Sequence, residues 1–485
     1  MSDHLTVVWV VLKSSAKVCK LALLVVLLLF QGRIVHAETL NDALAAAYRN
    51  NPQLLAEQAR LRAVDEGLAQ AQSGYRPNIN LNAEGGAQRT TTKPGVLSDG
   101  RTSPYGYSVT LNQPLFRGFR TVNSIRAAKA DIAAGRATLR HTEQLVLRDA
   151  VTAYMNVVRD QAIFRLRQNN VSVLSKQLEA TNERFSVGEV TQTDLSQAKA
   201  RRSLAVSELN FAKANYNTAI AEYQRIIGHA PKGLGRPGSI GKFLPRSQSK
   251  AVAIGLAEHP QIESAVAVEV SARHNLDVIK GERLPEVNLE VQYGQSFDGS
   301  RTIDERESGS VFARARVPLY QSGAVYARIR QAKQVVLQRR AEIEQARLQI
   351  RSSIISAWSQ MIAVRAQIAA NKVAVRANRT ALSGVKDEEK VGQRTILDVL
   401  DAEQELLNSQ VSLAIAERDA VVAEYTLFAA VGRLSVAALP VTTLIYDPED
   451  NTHQVNRRWR GGTINDPDLD RRGLHGWDDI LIRRD

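Results

Sequence analysis

Cysteine is almost absent: Cys19 is the single one in 485 residues. That excludes a disulfide framework and any Cys-rich zinc or iron–sulfur centre. Catalytic signatures are missing too. The eight His are scattered, with no pair at helix-borne metal-ligand spacing, no His-Glu-x-x-His and no Gly-x-Ser-x-Gly. Gly241-Lys242 has the outline of a phosphate loop, but Phe243 stands where Ser or Thr is needed and Arg236 where Gly is needed. The residues therefore predict no enzyme, no cofactor and no metal site. Beyond the N-terminal region no run reaches the roughly 18 consecutive apolar residues of a transmembrane helix, and mean hydropathy is −0.23. Aromatics are only 5% of the chain although apolar residues reach 44%, too many for a disordered protein. Acidic residues are the scarcer charge, 50 against 63 Lys and Arg, for a net +13. The basic residues are interspersed with Glu and Asp along helical faces, which predicts solvated helices and no nucleic-acid partner.

What is present begins with a leader. Lys13, Lys17 and Lys20 precede the apolar run Leu21–Phe30, and Val35-His36-Ala37 ends on a small residue. A basic region, a short apolar core and such a site predict a secretory signal peptide over residues 1–37. Cys19 lies upstream of the apolar core, which argues against a lipid anchor on it. The mature chain is then expected to start at Glu38-Thr39-Leu40.

The rest is written twice. Asn51-Pro52-Gln53 recurs as His259-Pro260-Gln261, and Arg76-Pro77 precedes a strand as Leu284-Pro285 does, both at an offset of 208. From Pro114-Leu115-Phe116, matched by Pro318-Leu319-Tyr320, the offset becomes 204. It holds for Ala153-Tyr154 with Ala357-Trp358, Val187-Gly188 with Val391-Gly392, Asp194 with Asp398 and Gly228 with Gly432. Such persistence marks a tandem repeat. The expected organisation is a first repeat over 38–228, a linker over 229–249, a second repeat over 250–439 and a polar C-terminal tail over 440–485, extended and without regular structure.

Each copy reads helix, strand, strand, very long helix, turn, helix. Residues 40–73 show helical composition and end at Tyr75-Arg76-Pro77. Strands are predicted at about 78–84 and 105–115, and again at about 286–293 and 310–319, from strict alternation. Ile79, Leu81 and Ala83 oppose Asn78, Asn80 and Asn82; Val287, Leu289 and Val291 oppose Asn288, Glu290 and Gln292; Val311, Ala313 and Val317 oppose Phe312, Arg314 and Arg316. Segments of about ten alternating residues suit a tilted barrel strand crossing a bilayer. They equally suit a soluble hairpin with one buried face. Four strands cannot close a barrel, so the first option requires an oligomer. Gly85–Pro104 and Gly294–Gly309 are expected as polar loops. Thr121–Val187 and Ala324–Lys390 lack proline and read as helices of about 100 Å at 1.5 Å per residue, the dimension of a coiled coil or barrel stave. Both break at Val-Gly, with Gly188 and Gly392 at the hairpin turns, and return as helices over 192–227 and 395–431.

One polar cluster stands out at the second break. Arg394-Thr395-Ile396-Leu397-Asp398-Val399-Leu400-Asp401 sets Asp398 and Asp401 three residues apart on one helix face, with Glu405 a turn further on. Thr193-Asp194 is its counterpart in the first copy. A carboxylate stripe alone is most often a wet helix face.

With these residues the chain resembles the TolC-like outer-membrane channels of Gram-negative efflux pumps and type I secretion systems. The resemblance covers nearly all of the mature chain and is most specific at residues 391–401. It implies a mainly α protein with a β-barrel part: a homotrimer whose twelve strands form a barrel in outer-membrane lipid, continued by twelve helices across the periplasm. It implies a periplasmic membrane-fusion adaptor and an inner-membrane ABC or RND-type translocase as partners. By the same resemblance Asp398 and Asp401 match acidic rings at the periplasmic aperture, and Arg394 matches a gate latch held by Thr193 and Asp194. The family pattern has a Tyr three residues before the break glycine, where this chain has Glu389; Glu389 is the expected substitute partner of Arg394. Asn80, Glu290, Arg314 and Arg316 are expected to face the lumen, and Ile79, Val109, Leu289 and Val317 the lipid. A periplasmic coiled-coil adaptor is the alternative, though it needs lipoyl-like and β-barrel segments and lacks two copies of paired ten-residue alternating strands. A secreted filament protein would lack the acidic cluster.

Overall fold

The structure is a computed structural model that describes residues 37–91, 93 and 100–459. The expected leader and the end of the tail lie outside the described residues, Ala37 excepted. In chain order the elements are α1 (Leu40–Asn50), α2 (Pro52–Gln72), β1 (Asn78–Gly85), β2 (Gln88–Thr90), β3 (Gly100–Thr102), β4 (Tyr105–Arg117), α3 (Arg120–Ser186) and α4 (Gln192–Ile227). The order then recurs as α5 (Gln248–Glu258), α6 (Pro260–Gly281), β5 (Glu286–Ser300), β6 (Ile303–Arg316), α7 (Ala324–Lys390) and α8 (Ile396–Ala430), and closes with α9 (Asp450–Arg457). The helix expected over 40–73 is two helices. Pro52 cannot continue α1, so the chain turns at Asn51 and restarts.

The chain divides into two compact units, and these are not the two copies. One comprises Met1–Pro52, Glu143–Val252 and Ser353–Leu444; the other comprises Gln53–Thr142, Ala253–Ser352 and Ile445–Asp485. Each draws on both repeats.

The first unit is a helical layer closed around two tyrosines. Leu44, Leu147, Val151, Tyr154, Tyr223, Ile227, Ile354 and Leu427 are fully buried. Buried phenols need partners. Tyr154 Oη lies 2.9 Å from the Glu38 carbonyl and 2.7 Å from that of Gly235, and Tyr223 Oη donates to the Glu38 carboxylate at 2.7 Å. Burial and the neighbouring Glu38 push both phenols far above their ordinary range. The segment after α4 is sewn to this unit: Ser239 Oγ and the Ile240 N–H both donate to the Glu424 carboxylate, which Arg365 also meets at 3.2 Å. The linker thus packs on the helices rather than merely spanning them.

The second unit carries an antiparallel sheet in the order β1-β4-β5-β6. β5 and β6 are longer than the alternation predicts. Their ladder continues to Ser300 paired with Ile303, so most of the expected loop 294–309 is strand. Backbone pairing does not depend on side-chain polarity, which is why a charged stretch such as Asp304–Glu307 could join it. Conversely β6 ends at Arg316, leaving Val317 and Leu319 outside the strand. In the loop between β1 and β4, β2 and β3 form a short hairpin.

The tail also departs from expectation. α9 buries Val455, and Asn451 Nδ2 and Thr452 Oγ1 bond the two oxygens of fully buried Asp65 at 2.8 and 2.9 Å. Arg136 reaches Glu449 at 2.8 Å. Eight residues are too few to show a helical period, so the sequence carried little sign of this helix.

Candidate functional site

Both long helices end in the same way. At the close of α3 the Glu189 N–H bonds the Arg184 carbonyl and the Gly188 N–H that of Phe185; at the close of α7 Gln393 bonds Glu388 and Gly392 bonds Glu389. These paired bonds define a Schellman stop, whose turning residue must take a left-handed backbone. Gly188 and Gly392 do so, at φ 79° and 77°. Both lie between a long helix and the helix that returns after it.

The following helices start alike as well. Thr191 accepts from the Asp194 N–H while Asp194 Oδ2 takes the Thr191 N–H and hydroxyl; Thr395 and Asp398 repeat this, with Asp398 Oδ2 2.9 Å from the Thr395 N–H and 2.8 Å from its hydroxyl. Each is a capping box with aspartate in the place of glutamate. The bonds from Thr191, hydroxyl first, hold the Asp194 carboxyl below the usual carboxylate range. Those from Thr395, backbone first, do the same for Asp398, and Arg394 adds to it.

That arrangement corrects the expected latch. Within the chain Arg394 does not meet Asp194: its Nε donates to Glu388 in the same hairpin at 2.9 Å, and its Nη1 lies 3.9 Å from Asp398. Asp194 is occupied by its cap, and Thr193 is exposed in the first turn of α4 with Thr191 doing the capping. Glu389 is not the partner of Arg394 either. It bonds Arg184 on α3 at 2.8 Å, joining the two hairpins, and this raises the Arg184 pKa. A second link ties Arg201 of α4 to Asp401. Asp398 and Asp401 therefore differ: the first is half-buried and locally capped, the second is exposed and paired across the hairpins. Under them Ile396, Val399 and Leu400 are buried, Leu400 with Leu174 and Ala205 in a cluster that also joins the copies. Arg184 and Arg201 were missed in the sequence, because pairing between residues some 200 positions apart leaves no local mark; Glu388 was missed because several acidic residues lie within reach of Arg394 and the sequence does not choose between them. The caps did leave one, Thr-x-x-Asp directly after each Val-Gly break.

In the sheet, the register settles which side chains share a face. Asn80, Thr110, Gln292 and Ser310 form one row; Asn112, Glu290 and Phe312 form the next; Arg314 lies across from Asn288 and Arg316 from Glu286. The four residues expected on one polar face thus share it, with Arg314 bonded to Glu290. The opposite face carries Ile79, Leu111, Val291 and Val311 in one row and Leu81, Val109 and Tyr293 in the next. Ile79, Leu81 and Val311 are 63, 71 and 66% exposed, so among the described residues no layer covers that apolar face. At its far end Tyr105 stacks on Phe297 with centroids 5.0 Å apart. An apolar band with aromatics at its edge has the composition of a lipid-facing strand surface. Among the described residues no helix is long and apolar enough to cross a membrane and no cluster of metal-binding side chains occurs.

A four-stranded sheet with one lipid-type face, joined to paired long helices, defines an outer-membrane channel protomer. The chain belongs to the outer membrane efflux protein family, matched over residues 43–229 and 254–433. It is similar to the outer membrane efflux protein BepC of Brucella suis, at 37% identity over 89% of this chain and 93% of that protein. It is also similar to TolC of Vibrio cholerae, at 26% identity over 83% and 92%. Its fold is that of the Campylobacter jejuni CmeC outer membrane channel, with a TM-score of 0.75 at 16% identity over 86% of this chain and 89% of that one. The protein is an outer-membrane export channel that extends into the periplasm. The matched family is one of transport channels rather than of enzymes, and the adaptor alternative falls away.

Proposed function

We propose that three copies assemble into a twelve-strand barrel continued by a twelve-helix tunnel, and that the hairpin turns at Gly188 and Gly392 close its periplasmic end. The sheet supports this reading most directly. β1 and β6 are free edges in a chain whose sheet has an apolar exposed face, and free edges in lipid leave backbone groups unpaired. Joining β6 of one copy to β1 of the next removes every edge. Asn80, Glu290, Arg314 and Arg316 then line the lumen, and Ile79, Val109 and Leu289 meet lipid.

At the aperture Asp398 and Asp401 would present rings of carboxylate to passing ions and favour cations. Their mutual repulsion would act against the cap that holds Asp398 ionised in one chain. The contact that resists opening is Arg184–Glu389, with Arg201–Asp401 beside it. Both join copy-one helices to copy-two helices, so an outward swing of the α7–α8 hairpin must break them. A periplasmic membrane-fusion adaptor would trigger the swing by binding the open arrangement better than the closed one. An inner-membrane translocase of ABC or RND type would supply cargo, and the chain itself performs no chemistry. Residues 1–37 act as the export signal, residues 38–228 and 250–439 as the two structural repeats, and 229–249 as the linker between them.

Planar-bilayer recording tests the scheme. An exposed ion pair contributes about 0.2–1 kcal/mol, so Arg184→Ala should raise the open population by up to about fivefold. Replacing Asp398 and Asp401 by Asn should shift the reversal potential in a salt gradient toward weaker cation preference. Conductance and reversal potential both equal to the parent's would remove the proposed gate.

A further inference from the structure

The polar face of the sheet holds two features that a plain hydrophilic wall does not explain. Phe312 stands among Asn, Ser, Thr, Glu and Arg side chains, 53% exposed and directly across from Glu290. Arg314, next on the same face, sets its guanidinium 5.5 Å from the centre of the Phe312 ring while its Nε bonds Glu290. Arg316, next again, has no such partner. The residue across from it is Glu286, yet that carboxylate is drawn off by Arg120 at the start of α3, 2.7 Å away. Among the described residues the Arg316 side chain makes no ion pair or hydrogen bond, and it is exposed.

An exposed ring, a guanidinium lying against it and an uncompensated guanidinium thus follow one another along a single strand face. From Phe312 to Arg316 the backbone rises about 13 Å, at some 3.3 Å per residue. Phenyl rings take planar apolar groups by stacking, and the arginine fork takes carboxylate or sulfonate through two parallel hydrogen bonds. Glu290 neutralises Arg314 and steadies it near the ring, so each chain offers one net positive charge here rather than two. A contact that is favourable but not saturating suits a conduit, whose cargo must leave as readily as it enters.

We propose that Phe312, Arg314 and Arg316 form a lumenal contact site for aromatic anions, the ring lying on Phe312 and the acid group on the two arginines. The proposal rests on the reading of this face as the lumen wall. It also places in the channel a zone opposite in sign to the Asp398 and Asp401 carboxylates.

The test uses the full-length assembled protein in planar bilayers with naphthalene-2-sulfonate as the probe. The parent's potassium current should be blocked by the sulfonate, and Arg316→Gln and Phe312→Ala should each weaken that block by about fivefold or more. Loss of one charge-assisted contact amounts to at least this. Arg316→Lys should retain part of the block, because the charge stays while the fork is lost. Access is measured separately with Arg316→Cys and a charged, water-borne thiol reagent. Rapid reaction with unchanged block in both variants would overturn the site and leave the lumen assignment standing. If the cysteine does not react from water, the lumen assignment fails and the site fails with it.

Discussion

His259 occupies the junction of α5 and α6, and its Nδ1 caps α6 by accepting the Gln261 N–H at 3.1 Å. It is 3% exposed, with the His141 ring 5.7 Å away. Burial, and then His141, push its pKa down to about 4. A helix N-terminus disfavours a cation in the same direction. The protonated ring also could not accept the capping bond. The folded protein therefore refuses a proton that the unfolded chain takes up near pH 6.5. This contribution is fully present above pH 6.5 and is lost as pH falls toward 4, below which the loss levels off. Its full size is about 3 kcal/mol. His259→Asn should flatten the decline, since the first copy has Asn51 at the matching position and asparagine is a competent cap. Urea midpoints of the detergent-solubilised protein between pH 7 and 4 decide it; identical slopes for parent and variant would remove His259 as the cause.

Helices and strands differ in how much of them could be read. The limits of α3, α4, α7 and α8 were legible within a residue or so, because absence of Pro and a Val-Gly stop are local properties of the chain. β5 and β6 were read short, since pairing carried polar residues such as Ser296 and Arg306 into the ladder. Around the two breaks the left-handed glycines and the Thr-x-x-Asp caps leave local marks, but the partner of Arg394 leaves none. Glu388 lies in its own hairpin, and the competing claim of Thr191 on Asp194 decides the matter locally. α9 was the element least visible, and it has a definite load. Asp65 is 0% exposed and each of its oxygens bonds a tail side chain. Asn451→Ala with Thr452→Val leaves that carboxylate buried without those partners, at a cost of about 1–3 kcal/mol. Limited proteolysis should then release the segment after Leu444 faster than in the parent, and an unchanged cleavage rate would show that its other contacts, such as Val455, Arg136–Glu449 and Gln72–Asn456, hold the tail without Asp65.

At the scale of the assembly, one helix face argues for further copies independently of the sheet. Tyr326, Leu337, Leu348, Ile355, Ile362 and Val373 of α7 are all large and exposed, Leu348 at 65%. Their spacings are 11, 11, 7, 7 and 11 residues. Eleven residues make three turns at 3.67 per turn and seven make two at 3.5, so each step returns close to the same face of a gently supercoiled helix. A stripe of this kind is the seam of a coiled coil, and among the described residues nothing covers it. Full burial of one such side chain contributes about 1.5–3 kcal/mol, so six repeated in each copy would outweigh the cost of association. Leu348→Glu with Ile355→Glu places two charges in the middle of the stripe, where burial would leave them unpaired. The prediction is that the parent runs as a trimer by native mass spectrometry in detergent, while the double variant runs as a monomer with its helical circular dichroism retained. A double variant that stays trimeric would assign the stripe to some other contact and leave the sheet edges as the only support for closure.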